Sequence, residues 1–292
     1  MTHLAKIKES LQAFATTRDL RTTAISFFNT LGYSSERTVK LKDVQQFLSE
    51  FDRDKRLEHP KALIKEWLSV ELLFQLTDEE ISQSLSLFKD DTINQSLLQS
   101  YVFIAVELKA ADYARGKLAG ITRQINRVFP MPVMVLYKIG EQLSIAVINR
   151  RKNKIHEDRD VLEKVTLIQN INITEPHRGH LDILSSFSVG NLKTTRTITN
   201  FDQLHTAWEE VFNVELLNKR FYSKIQRWFF WAVQEITFPH GGIADPDQRN
   251  RIAAIRLLTR VIFCWFAREK RLVPSELFSA TTASKVLKNF DP

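Results

Sequence analysis

Glu107 and Lys109 close the stretch "SYVFIAVELKAAD", residues 100–112, where an apolar run from Tyr101 to Val106 stops at two opposite charges. A run this apolar predicts a strand buried on both faces, in the middle of a sheet. Residues i and i+2 of a strand point to the same face, so this spacing sets Glu107 beside Lys109 with Leu108 turned away. A carboxylate is a hard oxygen ligand for Mg2+. An adjacent ammonium can orient an attacking water or stabilise the charge of a pentavalent phosphorane. Such a metal site needs a further acid, and the upstream loop "KDDT" offers Asp91 or Asp90. The plainer reading is that Glu and Lys are common residues and meet at a strand exit by chance.

The surrounding elements must position these charges. Residues 4–31 have helical spacing and end at "LGY", where Gly32 suits a C-terminal stop. "DVQQFLSEF" (43–51) predicts a second helix, and Pro60 opens another helical turn. In "WLSVELLFQLTDEE" (67–80), Leu72, Phe74 and Leu76 alternate with Glu71, Gln75 and Thr77, which predicts a strand. "EEISQSLSLF" fits a helix or a strand. Helical spacing over 111–129 ends at Pro130, with Gln124 inside it. "MPVMVLYKIGEQLSIAVINRR" (131–151) predicts a hairpin turning at "KIGEQ", and 161–173 adds one or two strands. From 174 the chain turns helical, with "VGNLKTTRTITN" (189–200) read as a linker. The rows Ile225, Phe229, Ala232, Ile236 and Ile252, Ile255, Leu258, Ile262, Trp265 read as stripes of packed helices.

Charge is unevenly spread. Residues 217–271 hold 11 Lys+Arg against 4 Asp+Glu, which is the whole of the chain's net +7. A local surplus fits either a polyanion partner or a solvated helical face. Apolar runs are too short for a membrane span. The first residues lack the apolar core of a signal peptide, and the lone Cys264 suits a reducing compartment, so a cytoplasmic protein is expected. Cys264 sits in apolar "VIFCWF" and reads as a core thiol.

The text "FIAVELK…YARGKLAGITRQINRVFPMPVMVLYKIGEQLSIAVINRR…DVLEKVTLI", with "PHRGH" after it, resembles the N-terminal region of type IIG restriction–modification enzymes. Those proteins join a PD-(D/E)xK-like endonuclease domain, a helical connector and an adenine-specific DNA methyltransferase. "FNVELLNKRFYSKIQRWFFWAV" and "RLLTRVIFCWFAREKRLVPSELF" are similar to the connector. The resemblance spans residues 67 to 290 or so.

It implies an α/β (α+β) architecture: a mixed-sheet, restriction-endonuclease-like domain with N-terminal helices over 1–190, then an all-α connector over 201–292. It implies a Mg2+-dependent DNA endonuclease of phage defence. Asp91 and Glu107 would hold the metal, Lys109 would position the water, and Gln124 would support the site. The implied partners are double-stranded DNA and a methyltransferase domain or subunit. The alternative is an inactive DNA-binding or methyltransferase-docking module. No proline precedes Asp90 or Asp91, and Pro246-Asp247 lies after the Glu-x-Lys strand, which favours that alternative. The chain holds no Asn-Pro-Pro-Tyr/Phe motif and no Gly-rich loop after a strand for S-adenosylmethionine. The resemblance therefore implies the N-terminal portion of a larger enzyme.

Arg150, Arg151 and Lys152 follow a strand, and Arg249, Arg251, Arg256 and Arg260 lie on the last long helix. Both groups suit phosphate contacts, or equally solvent and an acidic neighbour. His177 and His180 have an i, i+3 metal spacing, but capping or packing explains them as well. Trp228, Phe229, Phe230 and Trp231 read as packing aromatics.

Overall fold

The computed structural model describes residues 2–82, 92–152, 160–212, 214–239, 242–269, 272–274 and 276. It falls into two compact units, Met1–Leu216 and Leu217–Pro292.

The first unit is built on a five-stranded mixed sheet in the order β1-β2-β3-β4-β5. β1 (Trp67–Thr77) runs antiparallel to β2 (Ser100–Leu108), which runs parallel to β3 (Val133–Ile139). β4 (Gln142–Lys152) and β5 (Asp160–Asn172) add antiparallel pairs. Parallel neighbours need a crossover, and α5 (Arg115–Val128) supplies it between β2 and β3. The predicted hairpin turns at Gly140, whose φ of 54° is the left-handed conformation glycine tolerates.

Helices cover both sheet faces. Val102, Ile104, Val106 and Leu108 of β2 pack with Leu118, Ile121 and Ile125 of α5 and Phe47 of α3 (Val44–Phe51). Tyr101, Phe103 and Ala105 point the other way, into α1 (His3–Thr16), α2 (Leu20–Thr30), α6 (Arg178–Phe187) and α8 (Phe201–Val211). The class is α/β, with a central strand buried on both faces as its composition requires. The helical stretch over 4–31 is two helices. Asp19 breaks it by capping α2, accepting from the Thr22 amide at 3.2 Å.

Double coverage has a consequence for β1. Its alternation predicted an outward polar face, yet Gln75 and Thr77 are buried. Each is satisfied. The Gln75 amide donates to Asn94 O and Ser100 Oγ, and the Asn94 amide N–H donates to Gln75 Oε1 at 2.7 Å. Thr77 N–H donates to Glu80 of α4 (Asp78–Ser82) at 2.8 Å. On the outer rim of β1, Gln75 N–H donates to Arg37 O at 3.0 Å and the Arg21 guanidinium to Leu72 O at 2.6 Å.

Two sequence boundaries move. Residues 189–200, read as a linker, contain α7 (Val189–Thr195) with buried Leu192 and Ile198. α8, expected to open the second region, packs in the first unit because Trp208 is buried there. The Trp208 indole N–H donates to Tyr33 Oη at 2.7 Å, and Tyr33 donates to Phe187 O at 2.6 Å. The rest of "EEISQSLSLF" after Ser82 lies outside the described residues.

The second unit comprises most of α9 (Val214–Glu235) and α10 (Pro246–Glu269). In α9 the expected stripe holds: Ile225 and Phe229 are half-buried and Ala232 fully buried. α10 behaves differently. Ile255, Ile262 and Trp265, expected to pack, are exposed, and so is Cys264, read as a core thiol.

Candidate active site

The carboxyl ends of parallel strands are where α/β sheets commonly bind ligands. Here that end belongs to β2 and β3. Glu107 lies between Val106 and Leu108, which face α5, so its side chain points to the opposite side, that of α1 and α2. Lys138 is its register partner on β3, and Ser69 its partner on β1. Lys138 Nζ donates to Glu107 Oε1 at 2.5 Å, with the two side chains 20% and 26% exposed. Glu71, two residues beyond Ser69, shares this face and pairs with Ala105. One rim of the sheet therefore carries two carboxylates, a hydroxyl and an ammonium.

The Glu71 carboxylate is poorly compensated. Its nearest cation, Arg21 Nη1, is 4.0 Å from Oε2, and that guanidinium is already bonded to Val39 O and Leu72 O. Glu71 Oε2 and Ser69 Oγ are both buried without a hydrogen-bond partner. Burial pushes the Glu71 carboxyl above the usual range. Arg21 opposes that shift, Asp19 adds to it, and Lys40 opposes it.

Glu107 occupies the site. Lys109 does not stand beside it, because β2 ends at Leu108 and the chain turns away. The Lys109 amide donates to Glu66 O at 2.9 Å and its Nζ to Lys65 O at 2.5 Å. Tyr113 anchors the same turn, donating to Glu66 Oε2 and accepting from the Ala110 amide. Gln124 is buried on α5, on the other side of the sheet from Glu107, and accepts from Arg127 at 3.2 Å. Asp91 and Asp90 lie outside the described residues.

Arg150, Arg151 and Lys152 pair with Leu162, Val161 and Asp160 at the far end of β4, whereas Lys138 pairs with Leu143 at the near end. The sheet thus holds them at the end opposite Glu107, and their side chains lie outside the described residues. Arg251, Arg256 and Arg260 are exposed on α10, and Arg249 donates to Ile243 O at 3.5 Å. His177 stands at the N-cap position of α6 but its side chain makes no capping bond, and its ring centroid is 5.9 Å from that of His180.

Sequence reasoning missed Lys138, Glu71 and Ser69. The available signal was the parallel crossover itself, which brings "YKI" alongside "VEL" once both strands are aligned at their carboxyl ends.

Mg2+ binds through one or two carboxylates and keeps several waters or phosphate oxygens. Glu71 and Glu107 with the orphaned Ser69 hydroxyl fit that donor chemistry. Among the described residues no group of three or more His, Cys, Asp or Glu could hold a metal. No protein-family model, no curated protein and no solved structure matches this chain.

Proposed function

We propose that the first unit is a Mg2+-dependent DNA endonuclease domain with a restriction-endonuclease-like sheet, part of a restriction–modification enzyme. The observation that carries this is the rim of the β2/β3 pair, where Glu71, Glu107 and Lys138 share one face with two orphaned oxygens. Glu71 and Glu107 hold the metal. When bound, the ion supplies a Lewis acid that polarises a phosphoryl oxygen and acidifies a water. Lys138 takes the role that the spacing had assigned to Lys109. Its ammonium, held by Glu107, orients the water and offsets charge developing on phosphorus. Glu107 limits the freedom of that ammonium, so little reorganisation is needed as charge builds.

A second reading is favoured by one observation: the Glu107 carboxylate is already matched to an ammonium at 2.5 Å. In that reading the rim is a structural ion pair, and the protein is an inactive DNA-binding or methyltransferase-docking module. Its DNA affinity falls steeply with salt and ignores Mg2+.

Plasmid cleavage with Mg2+ decides between them. The endonuclease reading expects nicking or linearisation by wild type and its loss in Glu107→Ala and Lys138→Ala. Equal products from all three proteins, or none from wild type, would sink it.

A further inference from the structure

We infer that the exposed faces of α10 form the core of an interface with an acidic partner protein whose apolar groove receives them. Of the large hydrophobic side chains exposed among the described residues, all but Leu68 and Leu98 belong to the second unit. Val261, Ile262 and Phe263 are consecutive on α10, so they point in directions about 100° apart. All three are exposed, Phe263 at 70%. Exposed apolar surface spread over this much of a helix marks an interaction site.

Four kinds of occupant differ in what they offer such a helix. A membrane core is excluded for a span, because no described helix is long and apolar enough to cross one. A membrane surface takes up one face of a helix and leaves the other in water, which does not match apolar exposure on three sides. Duplex DNA presents phosphates and groove edges, which pair with arginines but leave Val261 and Ile262 uncovered. A partner protein with a groove covers all of them.

Charge sets the chemistry of that partner. Arg256 and Arg260 are four residues apart, hence on one face, and both are exposed. Between Gln248 and Ala267 the helix has no Asp or Glu. A second copy of α10 would bring arginine against arginine, so self-association is disfavoured. Asp and Glu at the rim of the groove complement the helix.

The test uses the full chain carrying a benzoylphenylalanine photocrosslinker at Phe263, irradiated in the cells that make it, with the joined peptides sequenced. The expected product is one other protein, attached through a carboxylate-rich segment. That protein, purified, should bind the wild-type chain with a Kd weakened about tenfold or more by Ile262→Asp and by Arg256→Glu with Arg260→Glu. Reversing the partner's carboxylates to lysine should restore the arginine-reversed chain. If Ile262→Asp lowers the melting temperature, the exposed arginine pair decides the outcome. Crosslinks to a second copy, to DNA, to lipid or to nothing overturn the inference, as does a captured protein indifferent to the charge reversal. Purified chain added to phosphatidylserine vesicles is the lipid control, and avid binding there also counts against the inference.

Discussion

Lys138 and Glu107 lie side by side on the two parallel strands, ammonium to carboxylate at 2.5 Å, although 31 residues separate them in sequence. The pair stands where a Glu-x-Lys spacing would have put Lys109, so the lysine of the rim comes from the next strand. This relationship separates three lysine and glutamate variants. Lys138→Ala and Glu107→Ala should each lower Mg2+-dependent plasmid cleavage by about 100-fold or more. Lys109→Ala should stay near wild type, because its ammonium is tied to the Lys65 carbonyl. A Lys109→Ala protein as inactive as Lys138→Ala would return the role to the lysine of the Glu-x-Lys spacing.

Glu71 should cost the fold stability at neutral pH. Its folded-state pKa is raised, chiefly by burial. The stability contribution of such a group is fully present below its ordinary value of 4.5 and is lost as pH rises through the raised one. Glu71→Gln should therefore melt at a higher temperature than wild type at pH 7–8. The gap should shrink as pH falls below 4.5. A gap that does not change with pH would contradict this. If Glu71 also holds the metal, the stabilised variant should fail to cut DNA, as expected where function retains a strained group.

The Tyr33 hydroxyl is a buried junction between the sheet-covering helices, accepting from Trp208 and donating to Phe187 O. Tyr33→Phe leaves a buried indole N–H and a buried carbonyl without that partner. The expected loss is about 2–4 kcal/mol in urea unfolding, with an unchanged m-value. A loss near zero would mean that water or a shifted side chain replaces the hydroxyl.

His205 should make the fold acid-sensitive. Burial lowers its pKa below 6.5, with the rings of Tyr101 and Phe201 stacked on it. A histidine of this kind adds stability that is present above 6.5 and lost as pH falls through the folded value. The Glu209 carboxylate, 3.6 Å from Nε2, favours the charged ring and moderates the effect. His205→Phe keeps the stacking and removes the proton site. Its melting temperature should fall less than that of wild type between pH 6.5 and 5, and parallel curves would refute the assignment.

Much of this fold is legible along the chain because its signals are local. The hairpin at Gly140, the crossover helix and the two-faced apolar β2 all follow from spacing within a few residues. The rim is legible only in part. Glu107 stands out as a charge ending an apolar run. Lys138 becomes its partner only through the β2/β3 register, which no local pattern encodes. Glu71 reads as an outward polar residue because alternation reveals two faces without revealing what covers them. α10 misleads in the opposite sense. Its apolar rows look like core, yet Ile255, Ile262 and Trp265 are exposed, because periodicity marks an apolar stripe without saying what covers it.

The arginine contacts along β1 bear on how the sheet meets other molecules. A lone flanking strand offers spare amides and carbonyls, a ready template for a foreign strand and thus for aggregation. Here Arg37 O occupies the Gln75 amide and the Arg21 side chain caps Leu72 O. An incoming strand would first have to evict both, so sheet extension across that side is blocked by the protein's own loop and second helix.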